Sequence, residues 1–91
     1  VLYWKRKEEL MTNGEKLEAA IQQRIKEAEH VGATQTVVDL IGALSWLRGF
    51  LDYAPGHDYP MEVIAAEMVM GVAEDARHEA FRLMEMWRPR Q

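Results

Sequence analysis

Apolar positions recur along this chain with a helical period, and nowhere with the alternation of a strand. The clearest run is Val37–Ala54. Projected at about 100° per residue, its Val37, Leu40, Ala43, Leu44, Leu47, Phe50 and Leu51 fall in one broad arc. An arc wider than the stripe of a surface helix predicts a central helix covered on more than one side. Its polar sector is small: Ser45, Arg48 and Asp52, with Arg48 and Asp52 one turn apart. A third stripe, Gly42, Trp46, Gly49 and Tyr53, runs along the remaining face. A glycine inside a helix costs ~1 kcal/mol relative to alanine, so the stripe predicts close approach by another helix.

Before this run, Leu17, Ile21, Ile25 and Ala28 form a narrower stripe that predicts a helix ending near His30, ahead of Gly32. Two starts compete for it. Thr12-Asn13-Gly14-Glu15 has the form of a capping box, which would begin the helix there. Tyr3 and Leu10, however, are in phase with Leu17, and this favours one continuous helix from Leu2 with Gly14 as its weak point. Met11 can serve as a natural start, which makes residues 1–11 a candidate non-native extension of a single helical domain, 1–91. Thr34 or Thr36 is the expected cap of the central helix, with Asp39 at the third position after Thr36, and Pro55-Gly56 marks its end. Pro60 then opens a last helix to Trp87, stopped by Pro89. Its arc of Ala65, Ala66, Val69, Val72, Ala73, Ala76, Ala80, Leu83, Met84 and Trp87 is rich in alanine, and suits the glycine-bearing face of the central helix.

The expected fold is therefore all-α, a three-helix up-down-up bundle with long first and third helices. Helices of ~28 residues span roughly 42 Å against roughly 27 Å for the central one, so the outer two overhang it at opposite ends. Tyr3, Trp4 and Leu10 occupy one overhang; Leu83, Met84 and Trp87 occupy the other. Apolar overhangs need cover, and a second copy would supply it: the bundle is expected to be completed by dimerisation.

Composition changes this picture little. At 91 residues, 48% hydrophobic and 29% charged, the chain is that of one globular domain. It has no cysteine, which removes disulfides, thiol chemistry and thiolate metal sites. No apolar run reaches the ~18 residues of a membrane span, and no leader pattern opens the chain, so a cytoplasmic protein is expected. The net charge is −4, but Glu27–Glu79 carries ten acids against Arg48 and Arg77, a regional balance of −8. Such a region reads first as a solvated surface and second as a face for a basic partner.

Candidate chemistry is sparse. Glu74, Asp75 and His78 have carboxylate–histidine spacing used by helical metal sites, with Glu67 and Glu85 along the same line. Di-metal bundles need such motifs on several helices, and one strip opposite the alanine arc predicts a charged face in water. His57-Asp58-Tyr59 lies on a connection without a nucleophile nearby, and Asp58 is expected to shape the turn. Neither a phosphate loop nor a zinc signature occurs, and the helix after Gly32 is too apolar to enter a DNA groove. Met61, Met68 and Met86 share one edge of the last helix, and methionine at helical spacing serves either as core or as an adaptable partner surface.

The expected function is a small helical protein–protein interaction module, homodimeric, binding another protein and using no cofactor. Its expected surfaces are Gly42, Trp46, Gly49 and Tyr53 together with the overhanging Tyr3, Trp4, Leu10, Met84 and Trp87. An acidic inhibitor of a nucleic-acid-handling partner is the alternative, and a carboxylate–histidine metal carrier the third.

Overall fold

Local capping chemistry sets both ends of the first described helix. In a computed structural model, described here for residues 11–53 and 56–86, α1 spans Asn13–His30 and α2 spans Thr34–Asp52. Helix α3 covers Met61–Gly71, and a 3-10 turn at Glu74–Ala76 leads into α4, Arg77–Met86. The fold is all-helical among these residues.

Thr12 is the N-cap of α1, with φ −70° and ψ 163°, and its capping box with Glu15 is complete. An extended Thr12 rules out a continuous helix through that position, so the capping box wins over the in-phase Tyr3 and Leu10. The expected overhang of a long first helix loses its basis. Tyr3, Trp4, Leu10 and Trp87 lie outside the described residues, as do Ala54 and Pro55. At the other end of α1, Gly32 takes φ +73° while its N–H donates to the Glu29 carbonyl and the Ala33 N–H to that of Ala28. This is a Schellman ending, and glycine supplies the left-handed residue it needs.

Helices α1 and α2 form an antiparallel hairpin, in which Gly14 lies against Leu51, and Glu18 pairs with Arg48 at 3.5 Å. A Cβ at Gly14 would stand 2.5 Å from Leu51 Cδ2, so this glycine marks a close helix contact. The predicted stripe of α1 is buried at Leu17, Ile21 and Ala28, and these meet Leu40, Ala43, Leu44 and Leu47 of α2 in the core. Ile64 and Met68 of α3, then Val72, Ala76, Ala80 and Leu83, complete it.

The expected last helix, Pro60–Trp87, is broken. Its first part ends at Gly71, and Val72 and Ala73 are extended, with ψ 159° and 149°. The core-facing phase nevertheless carries on across the break from Met68 to Val72, Ala76 and Leu83. Gly71, the last helical residue before the break, lies against the Trp46 indole, which occupies the space a Cβ would need there. Ala66 and Ala73, expected on the packing arc, are exposed, while Ile64 and Met68 take the buried positions. Helix α2 has no side-chain cap, contrary to the expectation for Thr34 or Thr36.

Candidate interaction surface

The face of α2 opposite the core is left uncovered by the other described residues. Val38, Ile41, Gly42, Ser45, Arg48, Gly49, Asp52 and Tyr53 are all exposed. They fall together on the helix projection because the core takes Leu40, Ala43, Leu44 and Leu47. Val38 is 56% exposed, Ile41 52% and Tyr53 93%, large values for apolar side chains on one helix face. Gly42 and Gly49 have no atom among the described residues within 4 Å of where a Cβ would stand. The expected packing of this stripe against the alanine-rich segment occurs only at Trp46, which lies against Gly71; the glycines that receive neighbours are Gly14 and Gly71, not Gly42 and Gly49.

Trp46 is the stripe member that does pack within the chain. Its ring stacks on Phe50 at 5.2 Å, and Phe50 meets Tyr59 at 4.9 Å. His57 stands edge-on to Tyr59 at 4.3 Å. This aromatic row ties α2 to the connection that precedes α3. Asp58 adds a second tie that spacing could not reveal: its Oδ1 accepts the Asn13 N–H at 2.9 Å, while Asn13 Nδ2 donates to the Tyr59 carbonyl. The acid expected to shape its own turn instead serves an orphan donor at the start of α1.

Beside the Val38–Gly42–Trp46 edge runs an open groove of about 480 Å³. Its far wall is the break between α3 and α4, namely Gly71, Val72, Ala73 and Ala76, with Asp39 and Asp75 also in the lining. The break between α3 and α4 therefore forms one wall of the groove.

Charge is organised differently from the expected solvated strip. Glu74 and Asp75 are exposed at the 3-10 turn, but Glu79 is only 1% exposed. Its Oε2 accepts from Arg24 Nη2 of α1 at 2.7 Å. His78 turns away from Glu74 and Asp75: its Nε2 lies 3.4 Å from Glu79 Oε1 and 3.8 Å from Asp39 Oδ2. Asp39 is buried and accepts from Gln35 Nε2, so it belongs to this network and not to a helix cap. Arg24 Nε is buried with no hydrogen-bond partner among the described residues. The network links α1, α2 and α4. No three His, Asp or Glu side chains among the described residues converge as metal ligands, and Glu74, Asp75 and His78 are not brought together as such a set.

Val63 and Met70 of α3 and Phe81 of α4 are also exposed. Met68, by contrast, is core, and Met84 is half-buried. No described helix is long and apolar enough to cross a membrane. Compared with protein-family models, curated proteins and solved structures, the chain matches none of them.

Proposed function

We propose that this protein is a small helical interaction module that acts by binding through the outer face of α2, associates with a second copy of itself, and works in the cytoplasm. The observation that carries the reading is the uncovered face itself. Val38, Ile41 and Tyr53 stand exposed around Gly42 and Gly49, where an added Cβ would meet no described neighbour within 4 Å. Solvent-facing glycines in a helix cost stability without return unless something packs on them. A contiguous apolar face on a small domain marks a binding surface.

Charge favours a neutral partner for this face. Between Asp39, which is buried, and Arg48, which pairs with Glu18, α2 carries no ionisable side chain. A basic partner would find acids only at the margins, Asp52 at one end and Asp75 across the groove, which weighs against the acidic-inhibitor alternative. The test is thermal melting of the full chain over a wide concentration range. Self-association stabilises the folded state by mass action, so the reading predicts a melting temperature that rises with concentration. A concentration-independent melt would contradict it.

A further inference from the structure

The outer face of α2 is nearly its own complement. Gly42 and Gly49 lie equally far from the midpoint between Ser45 and Trp46, and so do Val38 and Tyr53. Turning the helix end for end about that midpoint sets glycine against glycine and Val38 against Tyr53. An interface with two-fold symmetry asks for such self-complementarity, since the same patch must serve both copies.

We infer that a second copy of this chain docks by an antiparallel two-fold crossing of α2 on α2, centred between Ser45 and Trp46, with Tyr53 of each copy seated in the groove beside Val38 and Gly42 of the other. The inference rests on the self-association reading above and specifies its geometry. Close approach is allowed where the crossing occurs, because Gly42 and Gly49 have open space where side chains would stand. Small residues at such positions let helix backbones come together. Tyr53 leans toward the Trp46 side of the face on the helix projection, the side on which the groove lies. A two-fold axis lying across the two helices keeps that side facing its own copy, which brings the second Tyr53 to the groove and not away from it.

The groove suits a phenol. Val38, Gly42, Val72, Ala73 and Ala76 offer it an apolar lining, and the Asp75 carboxylate offers the hydroxyl an acceptor. Tyr53 is the most exposed large apolar side chain described, at 93%, and has no ring partner among the described residues. Charge permits the encounter although the chain is −4 overall, because the central turns of this face are uncharged. Size points the same way. A helix of this length measures about 28 Å, and with the far wall of the groove the face is about two helix diameters wide, roughly 560 Å² in projection. A standard interface uses about 800 Å² of accessible surface per partner, so nearly the whole face must be engaged. A second α2 has the length to do that, and a short peptide does not.

The natural chain has no cysteine, so disulfide trapping reports the geometry cleanly. Ser45→Cys lies beside the axis; Gln23→Cys on the exposed side of α1 is the control. Under mild oxidation the inference predicts a covalent dimer from Ser45→Cys and none from Gln23→Cys. Tyr53→Ala should weaken self-association by about tenfold or more while leaving helical content unchanged. A monomeric wild type at every concentration overturns the self-association reading and this geometry with it. A dimeric wild type whose Ser45→Cys variant traps no better than the control overturns the α2 crossing alone. Selective trapping with undiminished association of Tyr53→Ala overturns the seating of Tyr53 in the groove.

Discussion

Glu79 is the residue whose role differs most from its sequence neighbourhood. Set in Glu74-Asp75-Ala76-Arg77-His78-Glu79, it reads as part of a charged strip, yet it falls between Ala76 and Leu83 at core-facing spacing. The sequence signal was there: a lone acid on an apolar arc needs a partner, and Arg24 supplies it at 2.7 Å. Removing one member of a buried pair leaves the other uncompensated. Because Arg24 is about a quarter exposed, with 25% of its side chain accessible, water limits the damage. Glu79→Ala is expected to cost about 2–3 kcal/mol in urea melts, somewhat below the range for fully buried pairs. A change within about 0.5 kcal/mol, the size of an ordinary surface substitution, would show that the pair holds nothing together. Gly71 gives the complementary case. Alanine has the better helix propensity, but its Cβ collides with the Trp46 indole, so Gly71→Ala should destabilise by about 1–3 kcal/mol. A stabilised Gly71→Ala would mean that Trp46 does not pack there.

At the scale of elements, the ends of helices were more legible than their continuity. The Thr12–Glu15 box and the Gly32 ending are local chemistry, four to six residues long, and both are present in the fold. The start of α1 pitted that chemistry against a long-range phase match at Tyr3 and Leu10, and the local hydrogen bonds prevailed. Thr12→Ala should therefore cost about 1 kcal/mol, as loss of an N-cap does. Asp58→Ala should add to that loss without altering the core, because Asp58 accepts from the Asn13 N–H and Thr12 from the Glu15 N–H, two different orphan donors at the start of α1. The break after Gly71 was hidden for a different reason. Burial keeps one phase from Met68 through Leu83, so a period-based reading passes over two extended residues. Only Gly71 itself could have signalled it, and its reason, the Trp46 ring, comes from 25 positions earlier in the chain.

For the whole molecule, the central helix is what the sequence pattern promised on its core side and something else on its outer side. Leu40, Ala43, Leu44 and Leu47 are buried as their spacing requires, and Leu47→Ala should cost ~2–5 kcal/mol in denaturant melts. The glycine stripe was legible as an oddity, but its neighbours could not be read from spacing, which is silent on which helix faces which. The fold sets the alanine-rich segment across a groove from this face, close to Trp46 but leaving Gly42 and Gly49 uncovered among the described residues. Association through that face is the central claim. It is tested most directly by sedimentation equilibrium of the full chain beside its Gly49→Leu variant. Because nothing described lies near Gly49, leucine there should leave each chain as well folded as before. The account predicts a dimeric wild type and a monomeric, fully helical Gly49→Leu; a wild type that stays monomeric, or a variant that dimerises as tightly as the wild type, would contradict it.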